Sequence, residues 1–256
     1  MPAKPESNKV TAGRMPMMRH LVEMRDRVLK SVIAIVIGTV LGFIFAPQIM
    51  EFLIAPAPQL ELQSVTMLEP LSIYFKVSLT AGIIFAMPLL VYQLFAFASP
   101  ALTHRERRSI YMILPAVMIM FLTGIAFAYY IALPPAMSFF STFGSSWVNI
   151  QPTISSYINV VTRLMLGVGI VFETPIIIMV LTRMGLVTPQ WLAARRKLWI
   201  VLAFVIAALI TPTFDPINQS IIAIPLIILL ELSILLARIV YKKKEKKKEE
   251  PPETKA

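Results

Sequence analysis

Two carboxylates stand inside basic clusters. Glu23 lies in His20-Leu21-Val22-Glu23-Met24-Arg25-Asp26-Arg27, and Glu106 in His104-Arg105-Glu106-Arg107-Arg108. Each cluster sits just outside a long apolar run. Basic residues at such places orient a membrane protein, but the glutamates serve no such purpose. Two carboxylates facing one compartment form an acceptor for a cationic ligand. A guanidinium fits best, because its planar fork pairs bidentately with a carboxylate. Tyr92, Phe95 and Phe97 precede the second cluster and add a surface for cation–π contact. A local reading competes. Glu23 shares one helical face with Arg27 at i+4 and His20 at i−3, which makes a salt-bridged lead-in to a span. Glu106 would then only neutralise part of a topogenic loop. The residues alone leave both readings open.

Glu173 is the most costly residue in the chain. It lies about 14 residues into an apolar segment and about ten before Arg183, which at ~1.5 Å per residue puts it deep in hydrocarbon. A carboxyl there costs ~2.5–3.5 kcal/mol on insertion scales, so it must face protein or water. Pro175, two residues on, cannot donate to the Val171 carbonyl and predicts a kink. Glu173 either fixes helix packing by a hydrogen bond, receives a partner's polar group, or carries a proton or ion.

Other chemistry is sparse. There are no cysteines, so disulfides and thiol catalysis are excluded. His20 and His104 show no metal-site spacing. No nucleophile elbow or phosphate loop appears, so neither an enzyme nor a resident cofactor is expected. Asp215 before Pro216 reads as a helix N-cap with proline at the first position, followed by Gln219.

The elements that must position these residues are membrane spans. The chain is 57% hydrophobic over 256 residues, with a mean hydropathy of +0.75, well above a soluble domain. Six apolar segments are expected: 28–46 (with a continuation toward residue 54), 71–95 interrupted by Pro88, 110–133 with Pro115 near its start, 159–181 carrying Pro175, 198–210, and 217–239 carrying Pro225. A span needs ~20 residues. The fifth is short, and either sits in a locally thinned bilayer or is shielded by neighbouring protein, with a re-entrant hairpin of the fifth and sixth as the alternative. The expected fold is an all-α, six-span membrane domain over residues 17–240. A disordered tail at 1–16 and a disordered Lys-rich tail at 241–256 flank it.

Lysine and arginine are absent from 31–75, 109–162 and 199–237. Basic loops stay cytoplasmic, so both termini are expected inside. The net charge of +10 then belongs to juxtamembrane clusters and the tail. It predicts attraction to anionic lipid and no nucleic-acid binding. Lys76 and Arg163 are exceptions near the outer ends of their spans and are expected to snorkel outward. The outer loops carry Pro47, Pro56, Pro58, Pro70, Pro134, Pro135 and Pro152, which predicts caps and elbows.

Six stretches taken in order resemble the TatC family, the C subunit of the twin-arginine protein translocase. They are HLVEMRDRV, LEPLSIYFKVSL, MPLLVYQLFAFASPALTHRERR, GIAFAYY, GVGIVFETPI and TPTFDPINQSIIAIPL. The resemblance covers about residues 17–240. It implies a receptor for signal peptides bearing consecutive arginines and a scaffold for single-span partners of the TatA and TatB type. It also implies export of folded proteins driven by the proton-motive force across a prokaryotic inner membrane. Family roles fall on Glu23, Arg25, Phe97, Pro100, Glu106 and Arg107 for signal-peptide recognition, and on Glu173 with Gln93 for an intramembrane polar site. Pro56, Pro88, Asp215 and Gln219 match positions tied to structure or translocation. Self-association within the complex is compatible with it. Two departures are small: Met24 replaces the usual leucine of the first motif, and Asp215-Pro216 varies the usual turn. The alternatives weighed are a proton-coupled secondary transporter using Glu173 and a membrane scaffold with no transport role.

Overall fold

The computed structural model describes residues 17–56, 61–98, 104–143, 151–211 and 215–249, and among them no β-strand forms. One isolated parallel bridge joins Gln63 to Thr153.

Helix α1 (Met17–Ile44) lies antiparallel on α3 (Glu69–Ala98). The seam is made of small residues. A Cβ added at Gly38 would meet the Gly82 carbonyl at 2.7 Å, and one at Gly42 would meet the Ser78 carbonyl at 2.6 Å. Gly38 and Gly42 are a GxxxG pair, the device by which helices in lipid bring their backbones into contact. The rest of α1 exposes Val32, Ile33, Val36, Ile37 and Val40, as a helix at the edge of a bundle in lipid should.

The first apolar segment does stop and restart. Phe45 breaks the helix, and α2 (Ala46–Ile54) begins with Pro47 in its first turn. Proline suits that place because the first N–H groups have no intrahelical partner. The third segment departs from the expected 110–133. Helix α4 (His104–Phe127) passes through one π turn, Ala128–Ala132, into α5 (Leu133–Thr142) without stopping. Pro134 and Pro135 were expected to break it. The wider π turn absorbs them instead, and the Leu133 N–H bonds back to the Ala128 carbonyl.

Helix α6 (Ile154–Phe172) starts on Thr153, whose hydroxyl accepts the Ser156 N–H at 3.2 Å. It breaks at Glu173 and resumes as α7 (Thr174–Met184). Gly185, at φ 81°, closes α7, and the Leu186 N–H reaches the Leu181 carbonyl at 3.0 Å. That is a Schellman ending, which needs the left-handed backbone glycine adopts without strain. The chain then turns through α8 (Pro189–Ala194) into α9 (Arg196–Ile210) and α10 (Pro216–Glu249). The Asp215 carboxylate accepts the Asn218 N–H at 3.0 Å, so it is the N-cap its sequence position suggested. Helix α10 runs past Tyr241 through the lysine run, where the sequence suggested disorder.

Among the described residues, five helices are long and apolar enough to cross a membrane: Leu21–Ile44, Glu69–Phe97, Ile113–Thr142, Ile154–Met184 and Pro216–Tyr241. Helix α9 has 15 residues and spans only ~22 Å. The main core joins α2, α3, the π turn, α5, α6, α9 and α10 around Tyr157, Ile158, Leu133 and Ile222. A second core packs α3, α4 and α7 around Val117, Phe121 and Ile176.

Candidate functional site

At the end of the bundle where α1 begins, Arg27 holds Glu23. Its Nε and one terminal nitrogen donate to Glu23 Oε1 at 3.1 and 2.6 Å. Its other terminal nitrogen donates to Gln93 Oε1 on α3 at 3.3 Å. One guanidinium therefore bridges two helices 66 residues apart in sequence. Both side chains of the pair are only partly covered, 20% exposed for Arg27 and 26% for Glu23. Gln93 is buried. Arg25 points away and pairs with Asp26 at 3.0 Å on the exposed face.

Phe97 is half-buried in the last turn of α3. Glu106 and Arg107 fall in the first turn of α4, and their side chains lie outside the described ones. Pro100 lies outside the described residues altogether. The structure thus brings Glu23, Arg27 and Gln93 together one turn before Phe97.

Glu173 sits at the joint between α6 and α7 with 1% of its surface exposed. It faces protein, not lipid. Neither carboxylate oxygen has a hydrogen-bond partner among the described residues. The neighbouring Thr174 hydroxyl donates to the Val171 carbonyl at 2.6 Å, the acceptor that Pro175 leaves unserved. The break at Glu173 is therefore satisfied along its backbone and unsatisfied at its side chain. Gln93 and Glu173 belong to different helices, and the hydrogen bonds described for Gln93 run to Arg27, not to Glu173.

Of the remaining residues, Pro56 lies in the turn after α2, and Pro88 is built into α3 without ending it. Gln219 donates its amide to the Phe204 carbonyl at 2.8 Å, tying α10 to α9. A second tie between these helices is the Arg196–Glu231 ion pair at 2.9 Å.

Sequence reasoning missed the polar clamp at the opposite end of the bundle. Glu69 is buried and accepts the Val65 N–H at 2.7 Å and the Ser155 N–H at 3.0 Å, with longer bonds from Thr66 and Ser64. Tyr157 donates to the Leu53 carbonyl at 2.7 Å, and Tyr129 to the Phe52 carbonyl at 2.6 Å. These two bonds serve the last carbonyls of α2, which no helix partner reaches. The one hint in the sequence was an acid at the start of α3, where the helix dipole favours negative charge. The tyrosine contacts had no sequence signal.

A bundle of long apolar helices, with one carboxylate held at its end and another buried without a partner among the described residues, is the architecture of a multi-pass membrane protein. The family model described as "Sec-independent protein translocase protein (TatC)" matches residues 19–225. The chain is 40% identical over 231 residues to the TatC of Aquifex aeolicus, covering 88% of this chain and 95% of that one. It is 34% identical over 237 residues to the TatCy protein of Bacillus subtilis, covering 91% and 93%. A solved structure titled "Crystal Structure of Twin Arginine Translocase Receptor- TatC" superposes with a TM-score of 0.75 at 40% identity, over 86% of this chain and 99% of that one. The chain belongs to the TatC family and is a subunit of Sec-independent, twin-arginine protein translocation.

Proposed function

We propose that the chain is the signal-peptide receptor of its translocase, taking twin-arginine signals at the end of the bundle where Glu23 and Glu106 lie. The observation that carries this is the Arg27 bridge. It fixes the Glu23 carboxylate against α3, whose last turn carries Phe97; Pro100, Glu106 and Arg107 follow in the sequence. A signal arginine would compete with Arg27 for Glu23, and Phe97 would offer its ring. Arg25, Arg107 and their basic neighbours reject ligands whose charges are misplaced. The site needs no metal or cofactor for this.

In this reading both termini are cytoplasmic in a prokaryotic inner membrane, and α9 makes a sixth, short crossing. Glu173 receives a polar group from a single-span partner of the TatA or TatB type, with Gln93 supporting the helix end above it. Such partners build the passage for folded cargo, and the proton-motive force drives it. Pro56, Pro88, Asp215 and Gln219 keep the turns and helix ends in shape. Anionic lipid surrounds the basic end, and copies of the chain associate within the complex.

The test is binding of a synthetic signal peptide with two arginines against its two-lysine variant. Glu23→Lys and Glu106→Lys should each abolish the arginine preference. Normal crosslinking of the twin-arginine peptide to Glu106→Lys would remove Glu106 from the site.

A further inference from the structure

The end of the bundle far from Glu23 carries two cations. Lys76 of α3 and Arg163 of α6 both lie within helices long enough to span a membrane. Neither makes an ion pair among the described residues. The sequence suggested that both reach outward along their own helices. The Lys76 ammonium instead crosses to α6 and donates to Asn159 Oδ1. Asn159 and Arg163 are both exposed and stand one turn apart on one face of α6. Helical side chains lean toward their own N-terminus, so Arg163 leans back over Asn159. Lys76 is thus held at Asn159 on the seam of α3 and α6, with Arg163 one turn further along the same face of α6.

The nearest acid on this part of α3 is Glu69, two turns nearer the helix start. Its carboxylate is taken up by the Val65 and Ser155 amides and is buried. Tyr74 and Tyr157, which also lie near, use their hydroxyls on the Phe43 and Leu53 carbonyls. Glu51 on α2 and Glu61 in the loop before α3 lie at the same end, and among the described residues neither forms an ion pair with Lys76 or Arg163. Lys76 is seven residues from Glu69, ~10 Å along a helix long enough to span a membrane, where an unneutralised cation is costly.

We propose that Lys76, Asn159 and Arg163 bind the phosphate of an anionic phospholipid in the leaflet at this end of the bundle. Arginine supplies a fork for two phosphate oxygens and lysine a point charge, while Asn159 orients the lysine. The lipid acyl chains then lie against the exposed apolar surface of the two helices. This site is separate from the signal-peptide reading, which concerns the other end of the bundle.

The chain has no cysteine, so a single label reports one place. Ser156→Cys, exposed on α6 one turn from Asn159, carries a fluorophore in vesicles of brominated phosphatidylglycerol or brominated phosphatidylcholine. Phosphatidylglycerol should quench with a relative affinity about fivefold higher per engaged cation. Lys76→Gln with Arg163→Gln should return the ratio to unity. A control label at Ile228→Cys, exposed on α10, should show no preference in either background, and its unchanged quenching shows that the double variant is inserted and folded. Arg163→Gln alone should lose part of the preference if the double variant does not insert. Equal quenching by the two lipids at Ser156, or an undiminished preference in both Arg163→Gln and the double variant, overturns the proposal. Loss of the preference on adding inorganic phosphate would assign the site to a free anion and overturn the lipid as its occupant.

Discussion

Glu69 and Glu173 are both buried, one at 9% and one at 1% exposure, and their surroundings are opposite. Glu69 is surrounded by donors: three backbone amides and a serine hydroxyl, drawn from its own loop and from α6. Glu173 has none among the described residues. A buried polar group with its bonds made is part of the framework. One without them is retained against its desolvation cost and needs another explanation. In the proposed reading, the two glutamates separate what holds this bundle together from what it keeps for a partner. The backbone beside Glu173 sharpens the contrast, since Thr174 satisfies Val171 there. The joint is not poorly built; only the carboxylate is left over.

The same substitution at both sites should break the symmetry of burial. Glu173→Leu should reduce capture of a single-span partner by more than about tenfold in co-purification. Yet it should change the unfolding free energy of the isolated chain by no more than about 1 kcal/mol, in the stabilising direction, because no bond is lost. A large loss of stability would mean that Glu173 has a structural partner and would erase the contrast. Glu69→Leu should leave partner capture at Glu173 intact but raise amide exchange at Val65 and Ser155 by about an order of magnitude, since both donors are then unpaired. Unchanged exchange there would show that the clamp is not what orders the cap.

Smaller effects sharpen the boundary of the clamp. Tyr157→Phe should cost about 1 kcal/mol in chemical denaturation, the net worth of the bond to Leu53. A cost near zero would mean that packing of the ring, not its hydroxyl, holds α2. Asp215→Asn should change stability by only a few tenths of a kcal/mol, roughly, because asparagine caps as well as aspartate. If export falls sharply in that variant while stability holds, Asp215 does more than cap α10.

Several local features were legible in the residues. Hydropathy marked every apolar stretch that became a long helix, and the motif order pointed to the family that the comparisons then showed. Asp215 before Pro216 is a cap because the signal is contained in three residues. The vacated Val171 carbonyl follows from Pro175 alone, although only the structure shows Thr174 filling it. The π turn was not legible: Pro134 and Pro135 look like stop signals, and whether a helix stops or widens depends on what packs around it. Arg27 was legible as a partner of Glu23 at i+4, but its reach to Gln93 was not, because that contact is made across the α1–α3 seam.

The sequence by itself determined the medium and the local chemistry: long apolar helices, where they are capped, and that a glutamate lies deep among them. These follow from composition and from spacings within a few turns. Only the tertiary structure decided which buried acid is satisfied. Glu69 finds an essential donor 86 residues away, on Ser155, and Lys76 finds its acceptor on the same helix. Glu173, with as strong a need for a hydrogen bond, is packed by neighbours that offer none among the described residues. Pairing of buried polar groups depends on which helices meet, and that is set by close-packed seams such as Gly38 on Gly82 rather than by the residues that need partners.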